Sequence, residues 1–552
     1  VPIIKLITTG EFDLKFLEFL NFNDSFAKFL DISLLSFSLV VLGVFVLRFI
    51  LTILIQALIT LFAQRQRVLL APRMLRNYFN LDYQSYVSRS ASDQIYNLNT
   101  LTSNYISLIH AFLKFISDTT IALAIVILLI YVNPISFITL ISFMVTIVWI
   151  YSRVSAPNLA RLGREANTSQ SAALHVSQDS LAGFKEIKLL GKTEFFISKF
   201  SKKLQLVARY SLGIDLYKVV PKQLIELSVI VMFILFLIIT KIMHQESEDS
   251  ISMITVYGFA GIRLIPIFTS LTNTIVQFRA ASDSIDRLYE DVSKFDSAGY
   301  KGSQNDKPLL KRPYSFDNLE VKNISYTYPD QGQPIIDNFS FKINSGEIVG
   351  VYGPSGVGKT TLINLLIGLI EPDSGEIKVN GNSYRSQNII GTLELGYLPQ
   401  ETLILNRTIL ENITFSEGDL STTGNKLMKI LDVVCLKEFV ESLPKNINTK
   451  IGEAGGKISG GQRQRISLAR ALYHEKKFLI MDEATNALDA NTEGKVFENM
   501  INKGFINVAI IVSHRLNSLR HCNRIISMSH DRVDIIKDVD SFIKNIKKNG
   551  KT

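Results

Sequence analysis

Gly353-Pro354-Ser355-Gly356-Val357-Gly358-Lys359-Thr360 sets three glycines, a lysine and a hydroxyl within eight residues. Glycines at this spacing let consecutive backbone N–H groups turn toward one point, and a helix N-terminus beyond them favours negative charge there. Lys359 would reach the β- and γ-phosphates of a nucleotide, and the Thr360 hydroxyl, followed by Thr361, would meet Mg²⁺. A second run, Phe478-Leu479-Ile480-Met481-Asp482-Glu483, is apolar until its last two carboxylates. Asp482 would hold the Mg²⁺ through water, and Glu483 would polarise the attacking water as general base. A buried strand ending at an acidic turn accounts for one such carboxylate; the phosphate loop upstream favours the catalytic reading. The expected chemistry is phosphoryl transfer from ATP to water.

A phosphate loop needs a strand before it and a helix after it. Alternating apolar residues predict strands over 319–328, 335–343 and 347–352, the last feeding the loop, and 361–370 continues as an apolar helix. Upstream, Ser297-Ala298-Gly299-Tyr300-Lys301-Gly302-Ser303 through Lys311 is small, polar and charged, the composition of a linker. At 552 residues the chain is too long for one ordinary core. The expected division is 1–292, a linker at 293–313, and an α/β phosphate-loop domain at 314–552.

Apolar residues make up 47% of the chain and concentrate in its first half. Runs at roughly 33–62, 107–132, 134–153, 224–243 and 251–278 have about 20 residues or more, enough to cross a bilayer as helices. Arg65, Arg67, Arg73, Arg76 and Arg89 follow the first run; Arg153, Arg161, Arg164, Lys185, Lys188, Lys192 and Lys199 follow the third. Such loops belong on the cytoplasmic side, so the net charge of +9 reports orientation and not a nucleic-acid partner. The turn at Asn133-Pro134 and the acidic Glu246, Glu248 and Asp249 then fall outside, and the phosphate-loop domain inside. An outside N-terminus with an odd number of runs implies six spans, the first truncated before Val1. Between Glu11 and Leu30, Phe12, Phe16, Phe19 and Leu20 oppose Glu11, Lys15 and Glu18. That pattern fits a helix on the outer membrane surface or one packed on the spans. Short mixed segments at 79–83 and 183–187 are either plain turns or tips that dock on the second domain. Cys435 and Cys522 are too few for a disulfide framework, no zinc-ligand spacing appears, and no cleavable signal peptide is visible.

Two arginines fall inside the runs: Arg48 near the middle of the first, and Arg263 just before Pro266 in the last. A charge at mid-membrane costs about 3 kcal/mol on insertion scales, so each needs a partner or a wet cavity. One reading pairs them with Asp118 and Glu226. The other aims them at an anionic substrate, because guanidinium matches phosphate geometry.

Taken together these motifs resemble the ATP-binding cassette (ABC) transporter family. Ser459-Gly460-Gly461-Gln462-Arg463-Gln464-Arg465 is similar to its signature motif, with Ile458 where leucine is usual. The resemblance implies that Tyr328 stacks on adenine and that Gln400, in Leu398-Pro399-Gln400, is the lid glutamine touching Mg²⁺. It further implies that Asp489 forms the inter-subunit loop and that His514, in Val512-Ser513-His514-Arg515, grips the γ-phosphate. In this family the phosphate loop of one cassette and the signature of another enclose each ATP. With one intact set of both, the chain is expected to act as a homodimer. Spans fused ahead of their ATPase look like the exporter type.

Several short patterns also resemble the PglK-type bacterial flippases of lipid-linked oligosaccharides. They are the helix-like segment before the first run, Arg48, Pro221-Lys222 with Glu226, and Arg263-Leu264-Ile265-Pro266. That likeness implies ATP-driven movement of a polyprenyl-pyrophosphate glycan from inner to outer leaflet of the bacterial inner membrane, with Arg48 and Arg263 facing the pyrophosphate. An exporter of peptides, drugs or simple lipids is the alternative. An ATP-gated channel is disfavoured by Glu483, since a gate needs only binding; a soluble ATPase is excluded by the spans.

Overall fold

The computed structural model describes residues 34–132, 134–242, 248–297, 316–329, 331–383, 395–416, 424–452, 455–529 and 533–548. These fall into two compact units: one ends at Leu81 and resumes at Ser85, the other takes Asp82–Gln84 and the chain from Gly302.

The first unit is helical. Its long elements are α1 (Leu34–Phe79), α2 (Thr102–Val132), α3 (Pro134–Ala182), α4 (Thr193–Ile242), α5 (Glu248–Ala280) and α6 (Ser282–Ser297). Each apolar run of the sequence falls on one of α1 to α5, and α1, α3 and α4 extend well past their runs. At 46 to 50 residues, α1, α3 and α4 are each about 70 Å long, more than twice a ~30 Å hydrocarbon core. By length and composition alone, two stretches among the described residues suffice to cross a membrane, Leu42–Phe79 and Ala91–Ile127. The remaining expected spans run largely through side chains outside the description. So does the whole segment 11–30.

Beyond the apolar runs the helices are joined by polar contacts, as water-exposed extensions must be. Asp291 of α6 accepts from Tyr78 Oη (2.8 Å) and Asn97 Nδ2 (2.8 Å) and pairs with Arg89 (3.1 Å). Asn167 of α3 donates to Asp283 (3.0 Å) and Ser284 (2.9 Å) and accepts from Tyr96 Oη (3.0 Å). Because α6 runs to Ser297, the domain boundary expected at 292 falls inside a helix. Most of the expected linker lies outside the described residues.

The second unit holds two sheets. Strands β1 (Asn318–Tyr326), β2 (Ile336–Asn344), β4 (Ser374–Val379) and β5 (Asn382–Ser383) form an antiparallel sheet ordered β2-β1-β4-β5. The larger sheet runs β10-β9-β3-β8-β7-β6, with β3 at Ile348–Tyr352, β6 at Leu395–Leu398, β7 at Phe478–Asp482, β8 at Val508–Val512, β9 at Arg524–Met528 and β10 at Val533–Ile536. All of its neighbours pair in parallel except β10, which is antiparallel to β9. Strands β1, β2 and β3 stand where the alternation predicts them. Helix α7 (Lys359–Leu366) follows the glycine loop and ends earlier than expected, Asn364 O accepting from Leu369 N–H (2.9 Å).

Parallel strands covered on both faces serve two cores. Along β7, Phe478 and Ile480 join the core around α7, whereas Leu479 and Met481 join a second core. Strand β8 splits likewise, with Val508, Ile510 and Val512 against Ala509 and Ile511. The second core also holds Ile466, Leu468 and Leu472 of helix α8 (Gly460–Tyr473). The strict period of two therefore carries Asp482 onto the same face as Phe478 and Ile480.

Candidate nucleotide site

In an open parallel sheet, ligands bind beyond the carboxyl ends of the strands. Strand β3 runs into Gly353, β7 into Glu483, β8 into Ser513-His514, and β6 into Pro399-Gln400, so four parallel neighbours deliver their chemistry to one edge. The loop after β3 has little freedom. A Cβ on Gly353 would stand 2.4 Å from Met528 O, and Gly356 holds φ +82°. Lys359 is buried and its Nζ donates to the carbonyls of Gly353 (2.9 Å) and Pro354 (2.8 Å). Burial pulls its pKa down while the charges of Glu483 and Asp482 pull it back up.

Asp482 is buried, and burial followed by the charge of Glu483 pushes its carboxyl above the ordinary range. Tyr397 Oη stands 3.5 Å from Asp482 Oδ2, and its own pKa is pushed up to about 12 by burial and by that carboxylate. Glu483 occupies φ +50°, a left-handed backbone that costs a side-chain-bearing residue roughly 1–2 kcal/mol. The strained turn lifts it out of the strand's alternation. Its Oε2 accepts from Gln400 Nε2 (3.0 Å) and Asn486 Nδ2 (2.9 Å), and its Oε1 lies 2.9 Å from His514 Nε2, which calls for a proton on that nitrogen.

Tyr328 Oη is 3.2 Å from Thr361 Oγ1, and its ring stands edge-on to Tyr326 at 5.1 Å, one turn beyond the loop. The hydroxyl of Thr360, the carboxylate of Asp482 and the amide of Gln400 are hard oxygen donors, the set that suits Mg²⁺ held together with phosphate oxygens. Residues and ligand chemistry fit.

Ser459, Gly460, Gly461 and Gln462 are elsewhere. Ser459 caps α8 through a capping box with Gln462, accepting from its N–H (3.3 Å) while Ser459 N–H donates to Gln462 Oε1 (2.8 Å). Gln464 accepts from Ala487 N–H (2.9 Å), which ties the turn to the loop that ends at Asp489. Asp489 caps helix α9 (Ala490–Asn502) by accepting from Thr492 N–H (2.9 Å), and this lowers its pKa. Signature and Asp489 form one ledge, seated on the second core and not on the core that carries the phosphate loop.

Family models match both halves. The ABC transporter transmembrane region covers residues 14–275, and the ABC transporter ATPase model covers 336–486. The chain belongs to the ABC transporters. It is an exporter with membrane helices and ATPase in one polypeptide, a helical transmembrane domain followed by an α/β nucleotide-binding domain, and it hydrolyses ATP to drive transport. Among curated relatives, it is 25% identical over 482 residues to an ATP-dependent lipid A-core flippase of Cupriavidus pinatubonensis, spanning 85% of this chain and 78% of that protein. A mouse protein, ATP-binding cassette sub-family B member 10, mitochondrial, is 34% identical over 218 residues, 39% of this chain and 30% of its own. The fold matches a bacterial Atm1-family ABC exporter solved with ATP bound, at TM-score 0.74 and 21% identity over 89% of this chain and 87% of that one.

The transporter's structure thus gathers Lys359, Asp482, Glu483, Gln400 and His514 at one edge and leaves the signature and Asp489 apart. Sequence reasoning missed Asn486 and Tyr397. Asn486 sits three residues past Glu483, the spacing of a turn, and that was its available signal. Arg48 lies in the stretch 42–58 of α1, where every side chain is exposed, Asp118 accepts from Ser270 Oγ, and Glu226 pairs with Lys222 at 3.8 Å. The side chain of Arg263 is outside the description.

Proposed function

We propose that this exporter works as a homodimer that flips a lipid-linked oligosaccharide from the inner to the outer leaflet of a bacterial inner membrane. The observation that carries the reading is a cavity of about 680 Å³ among α2, α4 and α5, lined by His110, Lys114, Lys222, Glu226, Asn273 and Gln277 among others. Among the described residues Lys114 has no ion pair, and the Lys222–Glu226 pair is half-exposed and weak. Asp118 stands behind the lining residue Ser270, so the wall has mixed charge, with Lys114 and Lys222 as the groups able to meet a phosphate. His110 and Lys114 open one expected span, Lys222 precedes another and Gln277 closes a third, all at ends read as cytoplasmic. An anionic head group entering there from the inner leaflet would leave its tail in lipid. The similarity to lipid A-core flippases supports an anionic lipid in the same way.

Bound Mg²⁺-ATP supplies the scissile phosphoanhydride and neutralises its charge. Lys359 and the loop amides would hold the phosphates, Thr360, Asp482 and Gln400 would hold the metal, and Tyr328 would border the base. Glu483 takes the proton of the attacking water, and His514 leaves Oε1 to meet the terminal phosphate. The ledge of Ser459 to Gln462 and Asp489 completes the site of the second copy. Closure favours one arrangement of the helices only if nucleotide binds the closed pair better than the open one.

The test is transport in proteoliposomes loaded with a fluorescent polyprenyl-pyrophosphate glycan, with phospholipid and an apolar drug as competing arms. ATP-dependent movement of the glycolipid supports the reading. Drug-stimulated ATPase with no glycolipid movement favours an exporter of drugs, peptides or simple lipids, for which the mixed charge of Lys222 and Glu226 is the favourable observation.

A further inference from the structure

We infer that Asn486 is a positioning residue that holds the carboxylate of Glu483 throughout turnover. Three groups reach that carboxylate: Gln400 and Asn486 meet Oε2, and His514 meets Oε1. Gln400 comes from the end of β6 and His514 from the end of β8, so each reaches the carboxylate across a strand boundary through a side chain that can rotate away. Asn486 cannot. Its backbone N–H donates to Glu483 O (3.1 Å), closing the same turn that forces Glu483 to φ +50°, and both residues move together. If His514 turns to phosphate and Gln400 to Mg²⁺, as the roles proposed for them require, Asn486 alone remains on Oε2. Oε1 is then the oxygen free to accept from water.

A second observation concerns the other end of the same amide. Among the described residues Asn486 Oδ1 is buried and has no hydrogen-bond partner. An unpaired buried carbonyl oxygen costs stability. A residue needed only to make the turn would not carry that cost, because the turn is closed by backbone. The cost is offset only if the orientation of Nδ2 matters. A side-chain amide is also uncharged, so it fixes the base without the full acid-strengthening of a cation beside it.

The proposal rests on Glu483 being the general base, and the experiment keeps the two apart. Steady-state ATPase of the full chain in lipid nanodiscs is measured for Asn486→Ala, Asn486→Ser and Glu483→Gln, with fluorescent-nucleotide binding and thermal unfolding alongside. Asn486→Ala should lower kcat by about five- to tenfold and leave KM and nucleotide affinity within twofold. Asn486→Ser, which keeps a shorter donor, should recover part of that loss. Unchanged kcat in Asn486→Ala, with Glu483→Gln inactive, overturns the proposal while sparing the base. A lower thermal midpoint with KM and nucleotide affinity falling along with kcat, and no recovery in Asn486→Ser, assigns Asn486 a structural role and overturns it too. An active Glu483→Gln removes the base itself.

Discussion

Gly353→Ala is the sharpest test of how the phosphate loop is held. The added Cβ would lie 2.4 Å from Met528 O, whereas ordinary contact begins at 3.4 Å, so something must move by about 1 Å. The carbonyl cannot yield easily. Met528 ends β9, which pairs with β3 on one side and β10 on the other, Ser527 lying opposite Tyr352. The loop must move instead, away from β9 and out of its alignment with Asp482 and Glu483 at the end of β7. A misplacement of ~1 Å at a reacting centre costs on the order of 10²-fold in rate. Overpacking of this kind also costs about 1–3 kcal/mol of stability. Gly356→Ala provides the contrast. Nothing lies within 4 Å of its Cβ, and the penalty is the left-handed φ of +82° alone, about 1–2 kcal/mol. Phosphate release by the purified chain in nanodiscs should therefore fall about a hundredfold for Gly353→Ala and less than tenfold for Gly356→Ala. Equal losses, or a Gly353→Ala variant within threefold of the parent, would refute the steric reasoning.

Glu483→Gln should reduce turnover by about 10³-fold, since a general base contributes 10²–10⁴, while nucleotide binding persists. In light scattering that variant should double its protein mass on adding Mg²⁺-ATP; a mass that stays monomeric contradicts the homodimer. Lys114→Gln combined with Lys222→Gln should slow glycolipid flipping at least about tenfold, the factor that 1.4 kcal/mol of lost interaction gives. Arg48→Ala, at a residue that does not line that cavity, should slow it less. Equal effects would route the head group along α1. For Asp482 the folded pKa is raised above the unfolded one, so the folded state keeps a proton that the unfolded chain releases between those values. Stability is then lost as pH rises through that window, and at neutral pH the buried charge remains a cost. Asp482→Asn should raise the thermal midpoint at pH 7.5, with the gain fading as pH falls through the raised pKa. ATPase should drop on the order of 10²-fold in the same variant. A lower midpoint at neutral pH would contradict the burial argument.

The phosphate loop and its strand-and-helix frame were legible because that chemistry is written in consecutive residues. Gln400 and His514 come from the ends of β6 and β8 and became visible only through resemblance, since nothing near them in the chain marks a site. Asn486 was passed over because its part depends on a turn whose φ at Glu483 is forbidden to ordinary patterning. The apolar runs located α1 to α5 and stop short of the ends of α1, α3 and α4, because hydropathy stops where a helix leaves lipid and helix geometry does not. Residue 292 looked like a boundary for the same reason: α6 is polar and still helical. Of the lysine-lined cavity only Lys222 and Glu226 were marked, through the PglK-type likeness, while His110 and Lys114 had no pattern to read. It is assembled from single residues on α2, α4 and α5, while the insertion cost that singled out Arg48 says nothing about the direction it faces.

The two-core design of the nucleotide-binding domain bears directly on the proposed need for a second copy. Odd and even residues of β7 and β8 serve different cores, so the sheet separates the α7 layer, with its phosphate loop, from the α8 layer, with its signature. Asp482 follows the even residues toward the loop. The ledge of Ser459 to Gln462 is locked by its capping box and by Gln464 on Ala487, contacts that would have to break for it to swing around the sheet. Breaking them would forfeit a helix cap worth about 1 kcal/mol and unpair a buried side chain. A rigid ledge built away from its own phosphate loop, in a chain whose other catalytic groups are already gathered, is accounted for if it meets the loop of another copy.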